Sequence, residues 1–188
     1  MTFNSNNGEY ILPFAPKINN YEEIQQINFT NNKTFKILYI NFRSLNEKTE
    51  ELIYILNEFK NKNSTIDIIA ITEHWMNDFR ASKYTLNGYN TIFSCRPTKR
   101  GGGSAIFVKN NINYEGIKNY SDNENSITSV TLKNNEENIN ICCIYRTPNR
   151  NLDAVNFFIT ALDDHMQQLN HNKTYYIVGD FNFDLLIQ

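Results

Sequence analysis

The stretch from Asp67 to Glu73 places the strongest constraint on how this chain can fold. It reads Asp-Ile-Ile-Ala-Ile-Thr-Glu, so its central residues are apolar at consecutive positions instead of alternating with polar ones. A short run of this kind predicts a β-strand that is buried on both faces. Helices or a second sheet must therefore cover both sides of the sheet to which this strand belongs.

The residues before this strand predict a parallel βαβ unit. An earlier strand is expected over Lys36–Asn41, and Ser44 or Asn46 can cap the helix that follows it. The apolar positions of that helix have helical spacing and are Leu52, Ile55, Leu56 and Phe59. A strand, a helix and a second strand in this order favour parallel pairing of the two strands.

Two antiparallel hairpins are predicted after this unit. The first joins strands at 89–94 and 104–108, and the second joins strands at 126–132 and 138–145. The glycines of Gly101–Gly103 permit the positive φ values of a tight turn in the first hairpin. With a final strand that starts at Tyr175, these elements predict an α+β fold of two sheets packed face to face with helices outside.

A second helix is predicted to begin near Pro148 and Asn151. Its apolar residues keep i+3 or i+4 spacing and are Leu152, Val155, Ile159, Leu162, Met166 and Leu169. We expect this stripe to face the core, because it is too short for the sustained heptad repeats of a coiled coil with a partner helix.

Length and composition limit the organisation of the chain. Its 188 residues suit one domain, which we place at 36–188, and the polar residues 1–35 predict a poorly ordered linker or tail. The chain has 18 basic and 20 acidic residues, which argues against a strongly basic nucleic-acid coat. The three cysteines lack zinc-ligand spacing and are interpreted as thiols in a reducing compartment.

The sequence shows no targeting or membrane segment that we recognise. The N-terminus lacks the pattern of a secretory signal, and no apolar run approaches the ~18 residues of a membrane span. We therefore expect an intracellular protein, nuclear or cytoplasmic, with no membrane partner.

Polar side chains stand at the ends of four predicted strands. They are Asn41, Glu73, Tyr145 with Arg146, and Asp180 with Asn182. Such positions on one edge of a sheet protein often form ligand sites. Taken singly, each residue is more typical of a turn or loop, and it is their joint occurrence at four strand ends that indicates a site.

The chemistry of these residues suits a phosphodiester. Glu73 and Asp180 supply the hard carboxylate oxygens that Mg²⁺ prefers. The asparagine amides can orient a phosphate oxygen or a water, Arg146 can neutralise a phosphate, and the Tyr145 hydroxyl can donate a hydrogen bond to it. Together they indicate a site that uses one or two Mg²⁺ ions as Lewis acids.

Five short motifs occur in an order that resembles the endonuclease/exonuclease/phosphatase superfamily. They are Ile-Asn-Phe-Arg-Ser-Leu at 40–45, Ile-Thr-Glu-His-Trp at 71–75, Arg-Gly-Gly-Gly-Ser-Ala-Ile-Phe-Val at 100–108, Ile-Tyr-Arg-Thr-Pro-Asn at 144–149 and Gly-Asp-Phe-Asn at 179–182. More narrowly, the series is similar to the apurinic-type endonuclease domain of non-LTR (LINE-like) retrotransposons of the jockey or chicken-repeat type. The match runs from about Lys36 to Leu186. It implies a four-layer α/β/β/α sandwich of the DNase-I-like kind.

The resemblance also implies an activity, namely Mg²⁺-dependent nicking of target DNA to prime a reverse transcriptase of the same polyprotein. Glu73 would hold the metal, and Asn41 would help to position metal and phosphate. Tyr145 would contact the scissile phosphate and Asp180 would orient or activate the attacking water. Asn182 would stabilise the pentacovalent phosphate.

The chain departs from the family pattern in one respect that concerns catalysis. The family pattern ends with a further acidic residue and an Asp-His pair, and none of His74, His165 and His171 stands at a matching place. We therefore expect a fragment or degenerate copy that lacks the last strands and has little or no nuclease activity.

Two alternatives to the retroelement endonuclease remain open. One is a phosphatase or phosphodiesterase of the same superfamily that acts on inositol phosphates or lipids, although the motif at 144–149 and the glycine turn favour the retroelement branch. The other is a non-catalytic remnant that binds DNA or a protein.

The basic residues beside the glycine turn have two interpretations. Arg96, Lys99 and Arg100 could contact the DNA backbone, and we assign Arg100 to substrate binding with Arg146. The alternative, that they are solvated charges of a hairpin, is somewhat favoured by the sequence.

Overall fold

The computed structural model describes residues 2–3, 35–98, 100–133, 138–169 and 174–183. This part of the chain contains nine strands and three helices. The strands are β1 (Thr2–Phe3), β2 (Ile37–Asn41), β3 (Ile68–Thr72), β4 (Tyr89–Ser94), β5 (Ser104–Lys109), β6 (Tyr114–Ser121), β7 (Asn125–Leu132), β8 (Ile139–Arg146) and β9 (Thr174–Asp180). The helices are α1 (Thr49–Asn61), α2 (Asp78–Ala81) and α3 (Leu152–Gln167).

The strands form two mixed sheets. The first has the order β2-β3-β5-β4 and the second the order β1-β9-β8-β7-β6. Strands β2 and β3 pair in parallel, as do β8 and β9, and the remaining pairs are antiparallel. The predicted βαβ unit and both predicted hairpins are therefore confirmed.

The buried strand β3 separates two apolar layers, as its sequence predicts. Ile68 and Ala70 lie in the layer between the sheets, which also includes residues of β5, β7 and β8. Ile69 and Ile71 lie on the opposite face, in the cluster that contains the apolar face of α1. A third cluster covers the outer face of the second sheet with Phe158 of α3. The layers are thus helix, sheet, sheet and helix, which confirms the predicted sandwich.

The start of α1 differs from the prediction. The helix begins at Thr49, and the capping position is Lys48, which makes no side-chain capping hydrogen bond. Ser44 is buried with a φ of 91°, and its backbone N–H donates to the carbonyl of Glu73 at 2.9 Å. The predicted cap at Ser44 or Asn46 is wrong, because this segment pairs with the loop after β3 instead of entering the helix.

The buried face of α3 also differs from the prediction. The cap at Asn151 is confirmed, since its side chain accepts a hydrogen bond from the N–H of Asp153 at 2.8 Å. However, Leu152 is 76% exposed and Ile159 is 53% exposed. The buried side chains of the helix belong to an overlapping series at the same spacing, namely Phe158, Ala161 and His165. Of the predicted stripe, Leu162 packs against the same cluster as Phe158, and Leu169, just after the helix, is buried. Because Ala161 is small and His165 is polar, a search for large apolar residues in the sequence does not identify this face of the helix.

Two strands lie outside the predicted set. Strand β6 has a largely exposed, polar sequence with an irregularity between Glu115 and Lys118, so no periodic pattern marks it. Strand β1 pairs with Tyr175 and Tyr176 and lies within the predicted tail. Residues 1 and 4–34 of that tail lie outside the described residues, and the boundary at residue 36 stays a prediction.

Two further features concern the cysteines and the length of the helices. Cys142 and Cys143 are buried free thiols, and Cys95 is half-buried and free. In the described ranges, no helix is long and apolar enough to cross a membrane.

Candidate active site

The two parallel strand pairs bring the predicted site residues to one end of the sandwich. In the first sheet Asn41 pairs with Thr72, one residue before Glu73. In the second sheet Tyr145 pairs with Asp180. Strand β9 also contacts β2 and β3 across the interface between the sheets. Residues at the carboxyl ends of four strands can therefore meet, although they are far apart in sequence.

The side chain of Asn41 joins carboxylates from both sheets. Its Nδ2 donates to Oδ2 of Asp180 at 2.8 Å and to Oε1 of Glu73 at 3.4 Å. Its Oδ1 is buried and receives no hydrogen bond from any residue that the structure describes. An unpaired buried carbonyl oxygen is costly unless a ligand or cation uses it. This oxygen is therefore a candidate ligand for a cation, on the same amide that contacts Glu73.

The backbone around Glu73 is held in an unusual conformation. Glu73 and Trp75 have φ values of 55° and 58°, in the left-handed region that non-glycine residues seldom adopt. Their N–H groups donate to the carbonyls of Gly103 at 2.9 Å and Gly102 at 3.1 Å. Such strain persists only where the surroundings enforce it, and it concentrates at functional sites.

Trp75 contacts the same carboxylate through its side chain. Its indole Nε1 donates to Oε2 of Glu73 at 3.1 Å. Sequence reasoning did not place Trp75 in the site. Its position two residues after Glu73 was visible, but the hydrogen bond between the two side chains depends on the path of this loop, in which both residues have left-handed φ values.

His74 is a structural residue in this loop. It is 1% exposed, its Nδ1 accepts from the N–H of Met76 at 3.0 Å, and its Nε2 donates to the carbonyl of Ser94 at 3.2 Å. Burial lowers its pKa to about 4, so the ring is neutral at neutral pH. These contacts agree with the expectation that His74 is not the catalytic histidine.

Tyr145 lies under the glycine turn and presents a neutral phenol. It is 5% exposed, and burial raises its pKa, with a smaller contribution from the charge of Glu73. The guanidinium of Arg96 opposes this rise and lies 5.9 Å from the ring centroid. A Cβ at Gly102 would lie 2.6 Å from the Tyr145 ring, so a side chain is excluded there. Tyr145 is thus fixed as a hydrogen-bond donor.

Arg146 holds backbone segments together. It is 3% exposed, and its guanidinium donates to the carbonyls of Phe181 at 3.3 Å, Asn182 at 3.1 Å and Asn149. It also lies 4.4 Å from the centroid of the Phe183 ring. Because its donors are engaged, this geometry favours a positioning role over the predicted phosphate contact.

Asn182 is fixed by Arg146, the last residue of β8. Its Nδ2 donates to the backbone carbonyl of Arg146 at 2.6 Å, and its φ is 47°, a value that asparagine tolerates. Reciprocal hydrogen bonds therefore hold the loop after β9, since the side chain of Arg146 binds the backbone of Asn182 and the side chain of Asn182 binds the backbone of Arg146.

The two described arginines beside the glycine turn have different environments. Arg96 is buried, and its guanidinium donates to the carbonyls of Gly101 at 3.1 Å and Asn123. It is thus not the solvated hairpin charge that one interpretation expected. Arg100 is exposed at the start of the turn, and its assignment to DNA binding stays a prediction. Lys99 lies outside the described residues.

The residues at this end of the sandwich can hold a divalent cation. Within the described residues, no group of three or more His, Cys, Asp or Glu side chains is placed to bind a metal. A hard cation such as Mg²⁺ does not need one, because it keeps several waters and uses one or two carboxylates together with substrate phosphates. Glu73, Asp180 and the free Oδ1 of Asn41 form a donor set of that kind.

Comparison with known proteins agrees with this architecture. The endonuclease domain of TRAS1, a telomere-specific non-LTR retrotransposon, is 17% identical, with a TM-score of 0.53 over 80% of this chain and 60% of that one. A humanized TDP2 of D. rerio is 10% identical, with a TM-score of 0.60 over 80% and 63% of the two chains. An AP endonuclease from Archaeoglobus fulgidus is 17% identical, with a TM-score of 0.54 over 78% and 57%.

At these identities the solved structures establish the shared fold. The present chain spans less than two thirds of the length of each of the three. A search of curated protein sequences finds no match. The model of the Endonuclease/Exonuclease/phosphatase family matches residues 1–186, nearly the whole chain. The chain therefore belongs to the Endonuclease/Exonuclease/phosphatase family.

Proposed function

We propose that this chain is the Mg²⁺-dependent endonuclease domain of a non-LTR retrotransposon, acting on phosphodiester bonds of target DNA. The observation that carries the proposal is the bridge from Asn41 to Glu73 and Asp180. It joins the two carboxylates across both sheets, and no residue that the structure describes donates to the buried amide oxygen of Asn41. In this role the domain prepares a 3′-hydroxyl for a reverse transcriptase domain of the same polypeptide, at nuclear DNA.

Glu73 and Oδ1 of Asn41 would hold the Mg²⁺, assisted by the phosphate of the substrate. When bound, the ion supplies Lewis-acid stabilisation of the charge that develops on the phosphate. Members of this family are typically metal-dependent, and the donor chemistry of this site agrees with that property.

The remaining residues orient the reactants. Asp180 is held by Asn41 and can accept a proton from a water that attacks the phosphorus. The neutral phenol of Tyr145 donates to a phosphate oxygen, and Asn182 stabilises the charge on the pentacovalent phosphate. In the free protein the Nδ2 of Asn182 is bonded to the carbonyl of Arg146, so this step requires exchange of that bond.

Two of the similar structures support DNA as the substrate class. One similar structure is a retrotransposon endonuclease domain, and another is D. rerio TDP2 in complex with a single-stranded DNA product. The motif at 144–149 and the glycine turn favour the same branch over an inositol phosphatase. Neither His74 nor His165 reaches the site as a catalytic group, because both are buried and bonded elsewhere. We therefore keep the expectation that nicking by this chain is slow.

The test separates metal binding from catalysis. Trp75 is the only tryptophan and donates to Glu73, so its fluorescence reports on the site. We expect Mn²⁺ to quench it in the unmodified chain and in Glu50→Gln, an exposed carboxylate control on α1, but not in Glu73→Gln. Equal quenching in all three chains would remove Glu73 from the site.

Activity is then measured on supercoiled plasmid with Mg²⁺ or with EDTA, and in parallel on phosphoinositides. We expect slow plasmid nicking that Asp180→Asn and Glu73→Gln abolish. Robust nicking with the same dependence would support the endonuclease and overturn the expectation of impaired catalysis. Cleavage of phosphoinositides alone would favour the phosphatase alternative. Metal binding without cleavage of either substrate would favour the non-catalytic remnant.

A further inference from the structure

The carboxylate of Glu73 is held from two directions. Its Oε2 accepts the indole N–H of Trp75 at 3.1 Å, and its Oε1 accepts the amide of Asn41 at 3.4 Å. A glutamate side chain has several rotatable bonds and loses rotamer freedom when it binds a ligand. Two fixed donors, one for each oxygen, order the group before a ligand arrives.

The indole is a suitable group for this purpose. It donates a single hydrogen bond and accepts none, whereas a carboxylate has about four lone-pair sites. One bond from Trp75 therefore fixes Oε2 and leaves lone pairs on both oxygens for a cation. A lysine or arginine at the same place would fix the carboxylate equally well, but its charge would repel the ion.

The backbone is arranged to bring Trp75 to Glu73. The φ values at Glu73 and Trp75 are both left-handed, so the backbone between the two side chains does not follow the path of a regular strand. The glycine turn lies next to the indole, since a Cβ at Gly101 would lie 3.6 Å from Nε1, an ordinary van der Waals distance. The carbonyl of Gly102 holds the Trp75 N–H.

We propose that Trp75 is a positioning residue that orders the Glu73 carboxylate for cation binding, and that the glycine turn holds the backbone of Trp75 in place. The inference rests on the proposed metal-dependent function. It gives the segment Gly101–Gly103 a role beyond forming a hairpin turn, because the carbonyl of Gly102 accepts the Trp75 N–H at 3.1 Å and so fixes the residue that holds the carboxylate.

The experiment measures Mn²⁺ affinity by electron paramagnetic resonance, which does not need the tryptophan. We expect Trp75→Phe to weaken Mn²⁺ binding about 10-fold or more, the range found for partners that orient metal ligands. The matched control is Tyr89→Phe, which removes an aromatic donor bonded to the carbonyl of Ile66 at 2.7 Å, away from the site. That control should bind Mn²⁺ as the unmodified chain does.

A second pair of variants isolates the donor from the volume of the ring. Trp75→Gln and Trp75→Met remove similar volumes, but only glutamine supplies an N–H, so Trp75→Gln should bind Mn²⁺ more tightly than Trp75→Met. In the Glu73→Gln background, Trp75→Phe should cause no further loss of affinity. Thermal unfolding in EDTA reports any purely structural effect of the same substitutions.

The outcomes separate this inference from the proposed function. An unmodified chain that does not bind Mn²⁺ contradicts the proposed function itself. An unmodified chain that binds Mn²⁺ while Trp75→Phe binds it equally well contradicts only the positioning role. Equal affinities of Trp75→Gln and Trp75→Met, with equal losses of thermal stability, would assign Trp75 to packing and would also overturn the inference.

Discussion

The contact between Gly103 and His74 leads to a quantitative prediction about stability. Gly103 has a φ of 89°, and a Cβ at this position would lie 2.5 Å from Cε1 and 2.8 Å from Cδ2 of the His74 ring. The ring cannot move away easily, because both of its nitrogens are hydrogen-bonded and it packs edge-on against Phe93 at 5.2 Å. Gly103→Ala must therefore bear both backbone strain and a steric clash.

Gly88 provides a matched control for the backbone term. Its φ is 87°, almost the same as that of Gly103, but nothing lies within 4 Å of a Cβ built there. A left-handed backbone costs a non-glycine residue about 1–2 kcal/mol, which both substitutions incur. Overpacking adds about 1–3 kcal/mol at Gly103 alone. We expect Gly88→Ala to lose about 1–2 kcal/mol and Gly103→Ala about 2–5 kcal/mol.

Urea unfolding followed by far-ultraviolet circular dichroism measures both values. For a chain of this length, 1 kcal/mol corresponds to about 2–4 °C in Tm, so thermal scans should show the same order. Equal losses of stability in the two variants would refute the argument, since they would mean that the His74 ring gives way without cost. A double variant with His74→Ala should cancel the extra loss at Gly103, because the obstructing ring is then absent.

Three further predictions concern other parts of the fold. Burial and the charge of Lys118 lower the pKa of His165, so the unfolded chain binds the proton more readily than the folded chain. Stability is therefore lost as the pH falls below about 6.5. Urea unfolding at pH 7.5 and at pH 5.5 should show that His165→Gln loses less stability between the two pH values than the unmodified chain. Asn151→Ala removes the cap of α3 and should cost about 1 kcal/mol in urea unfolding; no change would mean that water replaces the cap. Arg146→Lys should destabilise the chain by about 2 kcal/mol, because an ammonium cannot serve three backbone carbonyls as the guanidinium fork does. If that variant keeps full stability but loses plasmid nicking, the phosphate contact predicted from the sequence is the correct role for Arg146.

The elements that the sequence predicted well are those whose pattern has a single physical solution. The consecutive apolar residues of β3 can be buried on both faces only in a layered fold, and the structure places its alternate residues in two different clusters. The stripe on α3 was less decisive, because two overlapping stripes satisfy helical spacing. The packing of Phe158 and the hydrogen bond between His165 and Ser129 at 2.9 Å favour the series that is buried.

The candidate site shows a similar division. That Asn41, Glu73, Tyr145 and Asp180 follow apolar strands is a property of the sequence. That their side chains meet depends on parallel pairing within each sheet and on contact between the sheets, which no local pattern specifies. The same packing places the guanidinium of Arg146 on carbonyls of the loop after β9, which no local pattern indicated, and its contact with phosphate stays a prediction.

The sequence alone determined the layered α+β architecture, the strand ends that carry polar groups and the chemistry of those groups. These follow from burial and from side-chain types, which act locally along the chain. Only the tertiary structure decided that one amide of Asn41 links carboxylates from two sheets, and that Trp75 turns back to hold Glu73. The physical reason is that hydrogen bonds between side chains require positions fixed to within a few tenths of an ångström, and only the packed core fixes them.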